Sequence, residues 1–284
     1  MNNLIRRISL ALFSIPVLLI LIFITPHYSH LFLNLVIAVL SILGALETRN
    51  LFLKRNTHLN KTLTIILALV FPVLNILVVM ELIPSNWILP VFLFFISLLI
   101  TAIALTRNKD SISTVLDRLP AYCFIMLFPG FFMSFLIRFN MLEQTSLLLL
   151  IFLTFVFGND TFAYFSGMMF GKGNRGIFPV SPNKSAAGLI GGIVTAGLAG
   201  WIYFRFFPKL FNNSPISAIL IGVCIAFTSV IGDLLESAMK RSADEKDSGT
   251  IMRGRGGVLD TIDSVLFSAP LFYFLMYQLQ SLNG

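Results

Sequence analysis

Charge is what this sequence has least of. Of its 284 residues only 12% are Asp, Glu, Lys or Arg, about half the roughly 25% usual in soluble domains. Histidine occurs three times and cysteine twice. His27, His30 and His58 carry no metal-ligand spacing, and Cys123 and Cys224 lie inside apolar runs. A disulfide framework and a thiolate or imidazole metal motif are therefore excluded, and the cysteines read as small packing residues. No Ser-His-Asp arrangement presents itself. No loop is long enough to bury a core of its own, so a soluble domain is excluded too, and no fixed-period repeat or low-complexity linker appears.

What the chain does have is oil. It is 57% hydrophobic, carries 29 Phe, and has a mean hydropathy of +0.89. Repeated apolar runs near the ~20 residues that cross a bilayer predict an all-α, polytopic integral membrane protein with about nine transmembrane helices. They centre on 8–24, 31–46, 62–80, 87–106, 120–137, 146–169, 188–207, 216–235 and 264–280. The basic start and first apolar run have no small-x-small cleavage site after them and read as a retained first helix. With the N-terminus in the cytoplasm, 17 of the 20 Lys and Arg residues fall on that side, as the positive-inside rule requires. The net charge of +7 thus reads as orientation in a lipid bilayer, not as nucleic-acid binding. Residues 1–145 have few polar groups inside their spans and form an N-terminal set of helices. Residues 146–284 have many and form the set where chemistry is expected.

The scarce acids are concentrated. Seven of the 13 Asp and Glu residues fall between Asp233 and Asp263, with five Lys and Arg among them. Ser229, Asp233, Glu236 and Lys240 share one face of a helix. Carboxylates at a membrane boundary are costly unless paired or bound to a cation; an internal salt bridge from Asp233 or Glu236 to Lys240 fits equally well. Asp260 and Asp263 repel each other on one helix face unless a cation lies between them. Oxygen-only ligands point to Mg²⁺, while acids at a helix N-terminus also complement its dipole. Between these groups lie Lys246, Asp247, Gly249, Arg253, Arg255, Gly256 and Gly257, suited to phosphate. Upstream, Asn159-Asp160 places a charge in an apolar run. Ser181-Pro182-Asn183-Lys184-Ser185 reads as a turn leading into a helix N-terminus, and Gly191-Gly192 as a close helix contact. Carboxylates, bases and apolar walls together suit phosphoryl or nucleotidyl transfer to a lipid. An ion-coupled transporter fits Asp160 and Asp233 but leaves the basic, glycine-rich loop unexplained.

The pattern Ser237-x-x-Lys240-Arg241-x4-Lys246-Asp247-x-Gly249, continuing to Gly256-Gly257-x-x-Asp260-x-x-Asp263, resembles the signature of the phosphatidate cytidylyltransferases (CDP-diacylglycerol synthases). Gly232-Asp233 and Glu236 ahead of it, and Asn159-Asp160 and Ser181-Pro182-x-Lys184-Ser185 upstream, are similar as well. The resemblance implies a membrane enzyme, in a bacterial inner membrane with its active-site loops cytoplasmic. It would join CTP to phosphatidic acid, with Mg²⁺, giving CDP-diacylglycerol and pyrophosphate. By that analogy Asp233, Asp260 and Asp263 hold the metal and serve catalysis with Lys240. Lys184, Arg241 and Lys246 neutralise phosphates, and Asp160, Ser181, Ser185, Glu236, Asp247, Arg255, Gly256 and Gly257 contact substrate. A homodimer is compatible with this reading. The chain departs from the family at Arg255 (His there), Thr261 (Arg there), Arg253 and Ala187. Another lipid phosphate as acceptor, or a silent relative that binds lipid or a partner, stay open as alternatives.

Overall fold

A computed structural model describes residues 16–24, 27–105, 113–252 and 256–282. Among them helices are the only regular elements, joined by turns and loops, with two isolated β-bridges and no named strand. The helices are α1 (His27–Lys54), α2 (Lys61–Val79), α3 (Ile88–Ala104), α4 (Val115–Ile125), α5 (Met133–Arg138), α6 (Thr145–Phe170), α7 (Ala186–Phe206), α8 (Pro215–Ser242) and α9 (Leu259–Ser281). A π-helical stretch, Met126–Phe132, joins α4 to α5.

Eight segments of the described residues are long and apolar enough to cross a membrane, and each coincides with an expected span. The expected first span, 8–24, lies largely outside the described residues; residues 16–23 of it are helical. Two helices run further than their apolar cores. Expected to end near 46, α1 continues through Glu47 and Arg49 to Lys54, and α8 continues past 235 to Ser242. Hydropathy loses a helix where its polar face begins, whereas the backbone hydrogen bonds continue.

The chain forms two compact units. The first takes the residues up to Arg138 together with Ser242–Asp260; the second takes Phe139–Arg241 and Thr261 onward. These boundaries differ from the 1–145 and 146–284 halves expected on functional grounds, because the segment 242–260 joins the first unit.

In the first unit, Leu67, Ala68, Phe71, Tyr122, Ile125 and Met126 form a buried core, with Phe131 edge-on to Phe71 at 4.9 Å between centroids. Asn60 caps α2, accepting from the Leu63 N–H at 3.1 Å, and its own N–H donates to the Tyr122 hydroxyl at 2.7 Å. The Ser41 hydroxyl of α1 reaches the carbonyls of Ala68 at 2.9 Å and Pro129 at 2.6 Å. One hydroxyl thus ties α2 and the π-helical stretch to α1, in a setting where polar atoms must be satisfied internally.

In the second unit, small residues let helix backbones meet, as they do between membrane helices generally. A Cβ on Gly188 or Gly192 of α7 would collide with the backbone of Ala163 or Asn159 in α6. Gly200 of α7 faces Ala218 of α8, and Gly222 of α8 faces Ala196 of α7, each with no space for a side chain. An aromatic cluster of Phe139, Phe152 and Phe272, with centroids 5.3–5.4 Å apart, packs along the first half of α6.

Candidate active site

In the second unit the polar groups of four helices and one hairpin converge. Asp233 and Glu236 lie about one turn apart on α8, and Asp263 comes from the start of α9. One oxygen from each of the three carboxylates lies within 4.8 Å of the other two. Glycine makes this approach available: a Cβ on Gly232 would strike the Asp263 carbonyl and come within 2.9 Å of the Phe267 Cβ. Glu236 and Asp263 are buried, with Glu236 wholly inaccessible.

Two ammonium groups balance part of this charge. Lys184 Nζ lies 2.6 Å from Asp233 Oδ2, and Lys240 Nζ lies 2.5 Å from Glu236 Oε2, one turn along α8. The salt bridge that the helix spacing allowed is therefore present, from Glu236. Ser237 donates to Asp233 Oδ1 at 3.3 Å. Beside the group, Asp160 Oδ1 accepts from Ser229 Oγ at 3.2 Å and from Asn159 Nδ2 at 3.1 Å. Asn159 is itself buried against Gly192, and its Oδ1 has no hydrogen-bond partner.

The hairpin that delivers Lys184 is built by its backbone. Ser181 closes a turn, accepting from Lys184 N–H at 3.1 Å, and Lys184 in turn accepts from Gly176 N–H at 3.0 Å. Ser185 is the N-cap of α7: its hydroxyl accepts from Gly188 N–H at 3.1 Å, which is the geometry its extended backbone favours. A Cβ on Gly167 or on Gly171 would crowd the same hydroxyl. Ser185 thus has a structural task, and the site's cation from this segment is Lys184. Arg241 is exposed on the last turn of α8.

The first unit holds the remainder of the signature. Asp260 Oδ2 accepts from Ser248 N–H at 2.9 Å, Ser248 Oγ at 2.8 Å and Gly257 N–H at 2.7 Å. A carboxylate so engaged ties Ser248 to Gly257. The sequence pointed to Asp260 as a metal ligand with Asp233 and Asp263; the carboxylates that meet within the second unit are Asp233, Glu236 and Asp263. Gly256 has φ +98°, a left-handed backbone that favours glycine, and a Cβ there would press on Asp260 and Asp247. Lys246 and Asp247 are exposed. Met252 and Gly256 pair across the loop's tip, at 2.9 and 3.0 Å. Arg253 and Arg255 lie outside the described residues.

One residue was missed from the sequence. Glu47 of α1 is buried, and its carboxylate accepts from Ser248 Oγ at 3.0 Å, Val258 N–H at 3.0 Å and Leu259 N–H at 2.7 Å. It is the first acid in the chain and closes an apolar run. The expected span stopped at 46, one residue short of it, so the rule that singles out Asp160, an acid within a predicted span, did not reach it.

A family model described as "Cytidylyltransferase family" matches residues 5–279. The chain belongs to that family. Among curated relatives, the phosphatidate cytidylyltransferase of Bacillus subtilis (strain 168) is 36% identical over 189 residues, covering 65% of this chain and 66% of the relative. That of Thermotoga maritima is 34% identical over 221 residues, covering 74% and 76%. That of Haemophilus influenzae is 43% identical over 137 residues, covering 47% and 46%, so this match spans about half of either chain. The membership accounts for the combination of apolar helices with a compact charged site.

The donor set suits a hard divalent cation. All three candidate donors are carboxylate oxygens, gathered within 4.8 Å of one another, and oxygen-only donors suit Mg²⁺. Counting Asp160, four carboxylates face two ammonium groups. By formal charge the carboxylates exceed the ammonium groups by two, a balance that one divalent ion would restore.

Proposed function

We propose that this protein is a phosphatidate cytidylyltransferase of phospholipid biosynthesis. A phosphate oxygen of phosphatidic acid attacks the α-phosphorus of CTP. A new P–O bond forms, the bond between the α-phosphorus and the bridging oxygen breaks, and CDP-diacylglycerol and pyrophosphate result. The observation that carries this reading is the group Asp233, Glu236 and Asp263 with Lys184 and Lys240, set in membrane-spanning helices.

Asp233, Glu236 and Asp263 would hold Mg²⁺, which on binding supplies charge neutralisation for the triphosphate and the leaving pyrophosphate. Lys184 and Lys240 exchange their carboxylate partners for phosphate oxygens, keeping a charge-assisted bond throughout. Asp160, fixed by Ser229 and Asn159, adds negative charge that holds Lys184 in place. Positioning and electrostatics suffice, because phosphoryl-type transfers ask little covalent chemistry of the protein. The distribution of basic residues supports a cytoplasmic N-terminus and cytoplasmic active-site loops.

The test is turnover by purified protein in nanodiscs. Labelled CTP, phosphatidic acid and Mg²⁺ are expected to yield labelled CDP-diacylglycerol and pyrophosphate. A panel of other lipid phosphates should react more slowly. No product from CTP or dCTP with any acceptor, under conditions where the Bacillus subtilis relative works, would refute the proposal; preference for another acceptor would replace the substrate.

A further inference from the structure

Two acidic residues of this chain share one hydroxyl. Ser248 Oγ lies 3.0 Å from Glu47 Oε2 and 2.8 Å from Asp260 Oδ2. Its single proton serves one of them at a time, and backbone N–H groups occupy both acceptors besides. On Glu47 these are the N–H groups of Val258 and Leu259, at the very start of α9. The first amides of a helix have no intrahelical acceptor. Here a carboxylate from a helix some two hundred positions earlier in the chain supplies it. The loop is shaped around that carboxylate: a Cβ on Gly249 or on Gly257 would run into Glu47. Both glycines belong to the segment read from the sequence as a phosphate cradle, and what they admit is an acid of the same unit.

We propose that Glu47 is a positioning residue for the cytidylyl transfer: it clamps Ser248 to Val258 and Leu259 and, through Ser248, fixes the rotamer of Asp260. A buried carboxylate in a membrane-spanning segment is costly, and three donated hydrogen bonds are what stabilise it. Shape alone would be met by an apolar side chain. Three converging acceptor contacts on one loop are met only by a carboxylate. Glutamine offers one acceptor oxygen and turns an N–H₂ toward an N–H, so Glu47→Gln loses a contact and gains a repulsion. Aspartate is one methylene short of the loop. The proposal rests on the transferase reading for its kinetic arm only.

The experiment uses full-length protein in nanodiscs, with Cys123→Ala and Cys224→Ala, and a spin label on the exposed loop position Thr250→Cys. The label is expected to report a single slow component in the parent, and a mobile component in Glu47→Gln and, more strongly, in Glu47→Ala. Ser248→Ala removes the hydroxyl that Glu47 and Asp260 share while leaving their backbone donors in place, and should give the same mobile component in smaller amount. In the kinetic arm kcat is expected to fall about 10-fold for Gln and about 100-fold for Ala, the range for a misplacement of about 1 Å, with the KM for CTP changed by less than about threefold. An unaltered label spectrum in all three variants overturns the proposal, whatever happens to activity. A mobile loop with undiminished kcat overturns the positioning role. Were the parent itself inactive with every lipid phosphate, the transferase reading would fall, and the spectra would still decide whether Glu47 holds the loop.

Discussion

Replacing Lys240 by Met tests the electrostatics of the site most directly. Met keeps the length and apolar stem of lysine and deletes the charge. In the folded protein Glu236 is wholly buried and Lys240 only 12% exposed, so the change leaves a carboxylate inside without its ammonium. Breaking a buried pair from one side costs about 3–5 kcal/mol. The lower end applies, about 3 kcal/mol, because the remaining exposure of residue 240 lets some water reach the carboxylate. In the unfolded state the pair is hydrated and is worth little, about 0–1 kcal/mol. The loss therefore appears almost entirely in the folded state. Unfolding in SDS, followed by the fluorescence of the two Trp residues, measures it. Glu236→Gln alone should cost about 1 kcal/mol, since Lys240 can extend toward water. The double variant should match Glu236→Gln, giving a coupling of about 3 kcal/mol. Both Lys240 variants should be inactive, the double one while well folded. Equal stability of Lys240→Met and the parent would refute the reasoning, since a carboxylate that tolerates the loss of its partner is not desolvated.

Two further outcomes follow from the geometry. Gly222→Leu drives a side chain into the Ala196 backbone; overpacking of this kind costs about 1–3 kcal/mol, and SDS unfolding should show it, while Gly158→Leu, with nothing within 4 Å of its Cβ, should not. Removing divalent ions with EDTA should abolish turnover, Mg²⁺ should restore it, and Asp263→Asn should raise the Mg²⁺ concentration needed for half-activity at least tenfold; an unchanged Mg²⁺ requirement would take Asp263 out of the ligand set.

Helices and their faces were legible in the sequence because membrane helices announce themselves by length and hydropathy. Asp160, Asp233, Lys184 and Asp263 were legible as well, as charges set against an oily background, and the structure brings them into one unit. What could not be read was partnership. Glu236 and Lys240 share a helix face with Asp233, yet spacing alone does not say which acid takes the lysine. Asp260 and Asp263 are three residues apart on α9, and nothing in that spacing separates a carboxylate that closes a loop from one that joins the metal-type group. Glu47 was hidden for a different reason. Its donors come from more than two hundred positions later, and no local pattern encodes a contact of that range.

The composition of the first unit also sets an order of events during synthesis. Its last segment, Ser242–Asp260, emerges from the ribosome only after the whole of Phe139–Arg241 has been made. At about 5–20 residues per second that interval lasts some 5–20 s. Through it Glu47 is already in the nascent chain, while the three donors that will satisfy it do not yet exist. The helices of the first unit are thus inserted early and finished late, and the carboxylate that clamps the loop spends its first seconds needing water, lipid headgroups or an insertion chaperone as its partner.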